Sequence, residues 1–304
     1  MRRARGFHRQ LLLTALAFTL SVASACRNVA DVNVTLERVS EARALAANLL
    51  VQFTKSADAA NRAVMADTDE ASVAFAKEAG LAADAVQKDA DALKALLQLL
   101  GYSDEQRLLG EFTGQYAQYR ELDRRILDLA VENTNLKAQR LAFGPAQEAA
   151  NAFRDALKAA TAAQGKAEGP TAWHVDALAL TAVTTVREIQ VLQAPHIADA
   201  DEAVMTRMEK EMATSESSAR RALDQLRVLL PPSSQGQIRA ATAALDKFMD
   251  LNLQIIALSR RNTNVRSLAL SLDEKRKITT SCEESLHALQ AALAKRGFTG
   301  IRER

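Results

Sequence analysis

Leu122–Phe143, LDRRILDLAVENTNLKAQRLAF, returns 129 residues later as Leu251–Leu272, LNLQIIALSRRNTNVRSLALSL. Seven of the 22 aligned positions are identical, among them the triplets Asn133-Thr134-Asn135 and Asn262-Thr263-Asn264. Six of the other fifteen positions set apolar opposite apolar or small opposite small. A self-match at one long period marks a chain built from two copies of one unit. Asn and Thr are good helix caps and poor helix interiors, because their side chains compete for nearby backbone groups. Each triplet therefore reads as a turn between two helices, explained by capping alone.

Upstream of the first triplet, Leu109, Phe112, Tyr116, Tyr119, Asp123, Ile126 and Ala130 alternate steps of three and four, as a bundle helix does. Ser103 to Gln106 has the spacing of a capping box, and Gly101 closes the helix before it. Ala66–Glu70 and Ala198–Glu202 both put acids where the second helix of a copy begins. Pro145 falls inside the fourth helical pattern and predicts a kink. In the last helix, Val265, Leu268, Leu272, Thr279, Cys282, Leu286, Leu289 and Leu293 form one seam. Cys282 reads as a small buried apolar residue, and no disulfide to Cys26 is expected.

Composition agrees: 48% of the 304 residues are hydrophobic and only 4% aromatic, with five prolines. Strong helix formers dominate, and no alternating run is flanked by turn signals. The expected fold is all-α: two tandem antiparallel up-down four-helix bundles with coiled-coil-like packing. The first spans 27–163 and the second, a duplicate, spans 171–296. Residues 164–170 link them and 297–304 form a tail.

Residues 1–25 have the layout of an export signal. Arg2, Arg3, Arg5 and Arg9 precede an uncharged apolar run that ends in Ala23-Ser24-Ala25-Cys26. Three fates are open. Cys26 is a lipidation candidate, cleavage after Ala25 would release a soluble exported chain, and an uncleaved stretch would serve as an anchor helix. Without the four arginines the chain has 35 basic and 37 acidic residues, net −2. The formal charge of +2 thus belongs to the signal, and no nucleic-acid partner is expected.

Candidate sites are few. Asp123 and Asn252 occupy equivalent seam positions, where a polar group is costly unless hydrogen-bonded. They are the candidate ligand contacts between helices, with a register-setting polar pair as the alternative. Met205, Met208 and Met212 read as core filling rather than a soft-metal stripe. Trp173 reads as a hydrophobic cover for a bundle end. The histidines at 8, 174, 196 and 287 include no pair at metal-ligand helical spacing, and no nucleophile or phosphate-loop signature is present. No metal, cofactor or catalysis is expected.

Arg27–Glu41, RNVADVNVTLERVSE, follows directly on an apolar run. With the polar turn that separates Tyr119-Arg120 from Leu157, it resembles the four-helix-bundle sensor domain of methyl-accepting chemotaxis receptors. The resemblance covers residues 10–163, and 171–295 more faintly. It implies a sensory module on the outer side of a bacterial inner membrane. The chain has no second apolar run and no signalling hairpin after it, a departure from the receptor pattern. The expected function is a non-catalytic, envelope-attached sensor, with membrane contact through the N-terminus and a small polar or aromatic ligand. A homodimer or an envelope protein partner, in a structural role without a ligand, is the alternative.

Overall fold

A computed structural model describes the backbone of residues 4–162 and 169–296, and the side chains from residue 33 onward within those ranges. The described residues are helical, without a strand. In chain order they form α1 (Ala4–Met65), α2 (Asp69–Leu100), α3 (Ser103–Glu132), α4 (Thr134–Leu141), a π-helical turn (Ala142–Ala146) and α5 (Gln147–Ala162). The second copy repeats the order with α6 (Pro170–Ala198), α7 (Glu202–Leu229), α8 (Gln235–Arg261), α9 (Thr263–Leu270), a π turn (Ser271–Lys275) and α10 (Arg276–Lys295).

Local starts follow the expected chemistry. Thr68 Oγ1 accepts the Ala71 amide at 3.1 Å at the head of α2. Asp201 accepts the amides of Ala203 and Val204 at 2.7 and 3.1 Å at the head of α7. Each satisfies donors that the first helical turn leaves open.

Packing divides the chain into two compact units that are not contiguous in sequence. Unit 1 comprises residues 1–59, 77–122 and 275–304; unit 2 comprises 60–76 and 123–274. Within unit 1, α1, α2, α3 and α10 form an up-down bundle. Ser56 Oγ donates to Ala79 O at 3.1 Å, Tyr116 Oη to Ala83 O at 2.8 Å, and Gln290 Nε2 to Ala46 O at 3.1 Å. The centre holds Phe53, Phe112, Tyr116 and Tyr119, with Phe53 edge-on to the other three at 5.0–6.1 Å between centroids. Cys282, Leu286, Leu289 and Leu293 of α10 are buried in this core.

Unit 2 has its own bundle of α4–α5, α6, α7 and α8, antiparallel between successive helices. Ser234 Oγ donates to Ala160 O at 3.0 Å, and Arg220 meets Asp246 at 2.7 Å. Phe153, Leu157, Val186, Ile189, Leu226, Leu245 and Phe248 share its core.

Two four-helix bundles are thus present, but the expected division into 27–163 and 171–296 is corrected. The fourth helix of each sequence copy sits with the other copy's first three. The reason lies at the triplets. Only Asn133 (φ 50°) and Asn262 (φ 53°) leave helical geometry, each for a single residue. An antiparallel helical hairpin takes a loop of about 2–5 residues. One residue cannot turn the chain back along α3 or α8, so the following helix packs elsewhere.

The last-helix seam needs a second correction. Leu268 and Leu272 are exposed, whereas Lys275, Cys282 and Leu286 are buried. The π turn at 271–275 inserts an extra residue per turn and rotates everything after it, so a straight heptad cannot carry through. It sits at the repeat position of the π turn at 142–146, which contains Pro145. The proline explains the first; the second has Glu274 in its place.

Candidate functional site

One concave feature of unit 2 is a groove between α6 and α7, about 680 Å³ in volume. The helices present Arg187, Glu188 and Val191 on one side and Arg207, Lys210 and Glu211 on the other. These are side chains at i, i+3/i+4 spacing on each helix, so they share one face. Val191 is 73% exposed, and half-buried Leu192 beside it packs on the bundle core. Ser215 Oγ donates to Glu188 Oε2 at 2.9 Å, and Arg187 donates to Gln190 Oε1 at 3.2 Å. Among the described residues, the side chains of Arg207, Lys210 and Glu211 make no hydrogen bond or ion pair.

The same two helices carry a buried polar layer into the bundle. Gln193 Nε2 donates to Asn252 Oδ1 at 2.9 Å, and Asn252 Nδ2 lies 3.6 Å from Met212 Sδ. One turn further along, His196 has no exposed surface. Its Nδ1 is 2.6 Å from Ser259 Oγ and its Nε2 is 2.9 Å from Glu209 Oε1. Arg260 donates to the same Glu209 oxygen at 2.7 Å. The Arg260 guanidinium holds the Glu209 carboxyl below its usual range; burial opposes this and the His196 contact assists it. Glu209 in turn raises Arg260. Ser, His and Glu here echo a hydrolytic relay by residue type. Ser259 and His196 are wholly enclosed, however, and Ser259 Oγ donates to Ile256 O at 3.1 Å, so no substrate atom reaches the hydroxyl in this arrangement.

The sequence-derived candidates fall out as follows. Asn252 is buried with its amide committed to Gln193 and Met212, which ties α6, α7 and α8 together. Asp123 is buried at the equivalent position of α3. Neither lines the α6/α7 groove. Met205, Met208 and Met212 are buried, whereas Trp173 is 76% exposed and is not the buried cover expected of it. Cys26 lies in the part of α1 whose side chains are outside the described residues. No cluster able to hold a metal ion occurs among the described residues, and no helix there is long and apolar enough to cross a membrane.

The triplets need a correction too. Neither Asn133 nor Asn262 caps its helix through the side chain. The two triplets instead bond each other within unit 2. Asn135 Oδ1 accepts the Asn264 amide and Asn264 Oδ1 the Asn135 amide, both at 3.1 Å. Asn135 Nδ2 reaches Asn262 Oδ1 at 2.7 Å, and Asn264 Nδ2 reaches Asn133 Oδ1 at 2.9 Å. Repetition of the triplet was the available signal, but capping accounted for each copy separately and left the mutual contact unread.

The groove was not legible in the sequence, because its residues are ordinary surface side chains until two helices bring them together. A family model described as a four helix bundle sensory module for signal transduction matches residues 11–167, in agreement with the chemoreceptor resemblance. No curated protein matches the chain.

Proposed function

Because the chain belongs to the family of four-helix-bundle sensory modules for signal transduction, we propose that it is a non-catalytic sensor of the cell envelope that responds to a small molecule. The observation that carries this reading is the placement of the α6/α7 groove on the two helices that also hold the buried polar layer. A molecule held between α6 and α7 would favour one spacing of these helices. Gln193–Asn252 and His196–Glu209–Arg260 would convey that preference to α8, because buried hydrogen bonds resist stretching. The export-like N-terminus, with its four arginines and apolar run, supports an envelope location.

The test is thermal unfolding of the purified chain against a panel of amino acids, organic acids and aromatic acids. A ligand at about 100-fold above its dissociation constant adds about 2.7 kcal/mol of stability, which raises the melting temperature by several degrees. A saturable shift is expected. A flat panel would sink the small-molecule reading and favour a structural or partner-binding role.

A further inference from the structure

The sensing reading does not say what the groove takes, and the following rests on that reading. We propose that the α6/α7 groove binds a small organic monocarboxylate with an apolar body, its carboxylate held by Arg207, Lys210 and Arg187.

Three observations converge. The groove collects three cations against two carboxylates, and one of those carboxylates, Glu188, already accepts from Ser215. Arg207 and Lys210 lie three residues apart on one helix face, a like-charge pair that costs stability when nothing offsets it. Their side chains have no hydrogen bond or ion pair among the described residues, so both are available to an anion. A carboxylate accepts charge-assisted hydrogen bonds from both, with geometry suited to a guanidinium.

The apolar side of the ligand follows from Val191 and Leu192, which offer aliphatic surface within the same groove. Glu211 sets the upper limit on charge. A second carboxylate on the ligand would meet it or Glu188 as a like charge, and so a dianion is disfavoured. The volume lies in the range of small-molecule sites, about 300–1,000 Å³.

The experiment is calorimetric titration of the full chain with sodium benzoate and sodium hexanoate, with benzamide as the uncharged counterpart of benzoate. Both carboxylates are expected to bind saturably and benzamide at least tenfold more weakly. Arg207→Gln and Lys210→Gln should each weaken benzoate about tenfold. Neither should lower the melting temperature of the free chain, since neither side chain has an internal partner and each change relieves the like-charge pair. Arg220→Gln, on the same helix outside the groove, should bind benzoate as the parent does. Undiminished benzoate binding by the Arg207 and Lys210 variants would overturn this site and leave sensing intact. Failure of the carboxylates, with another panel compound binding in an Arg207-dependent way, would overturn the ligand class alone. No binding by any compound of the wider panel would overturn both.

Discussion

Thr134 Oγ1 accepts the backbone amide of Thr263, and Thr263 Oγ1 accepts the backbone amide of Thr134, each at 3.1 Å. The two hydroxyls are 3.2 Å apart and both residues are buried. Either Thr→Val change keeps the shape and strands one buried amide. Each should cost about 1–3 kcal/mol in denaturant unfolding. The double variant should cost less than the sum, because the two changes share their partners. Strict additivity would mean that the hydroxyls act independently.

The exchange of fourth helices makes the two halves of the sequence mutually dependent. Cleavage at a protease site introduced between Gly165 and Lys166 should leave residues 1–165 and 166–304 together on size-exclusion chromatography under native conditions. Arg43 Nε donates to Leu293 O at 3.1 Å, and α5 and α8 share a core, so each half holds part of the other's bundle. Two separate peaks would refute the exchanged packing.

Glu105 carries a pH dependence. Burial pushes its carboxyl up, but Arg296, bonded at 2.8 and 3.1 Å, together with a backbone hydrogen bond, outweighs it and holds the carboxyl below its ordinary range. A depressed folded-state pKa stabilises above the unfolded value, and that contribution disappears as pH falls through the folded value. Glu105→Gln should therefore lose about 2 kcal/mol at pH 7. The gap to the parent should begin to close as pH falls to the unfolded glutamate value, about 4.3, in denaturant titrations. A gap independent of pH would show that the ion pair contributes nothing.

Cys282 should be inert. Burial, with the nearby charge of Glu283, pushes its thiol up to about 12. At pH 8 a thiol reagent should leave it unmodified in the folded chain and label it fully in denaturant, since only thiolate reacts and only opening exposes it. Fast labelling of Cys282 in the folded chain would contradict its burial in the α10 core.

Helix existence, the duplication and most of the core were readable from spacing. Leu109 to Ala130 are buried as their heptad predicts, because a straight α-helix keeps its apolar face in one direction. Three things were not readable. A left-handed Asn133 looks like a capping Asn in one dimension, yet the length of the break decides where α4 packs. The π turn at 271–275 has no proline to mark it, and Leu268 and Leu272 were misplaced for that reason. The groove depends on Arg187 and Arg207 meeting across two helices, which no local pattern encodes.

Bundle 1 joins Arg43 to Leu293, 250 residues away. Contacts of such long separation form late, since the intervening chain loses entropy before any contact rewards it. The first bundle cannot close until α10 has been synthesised, while α5 to α8 can assemble earlier. The order of folding therefore departs from the order of synthesis: the inner helices set first, and α1, made first, waits for α10, made last.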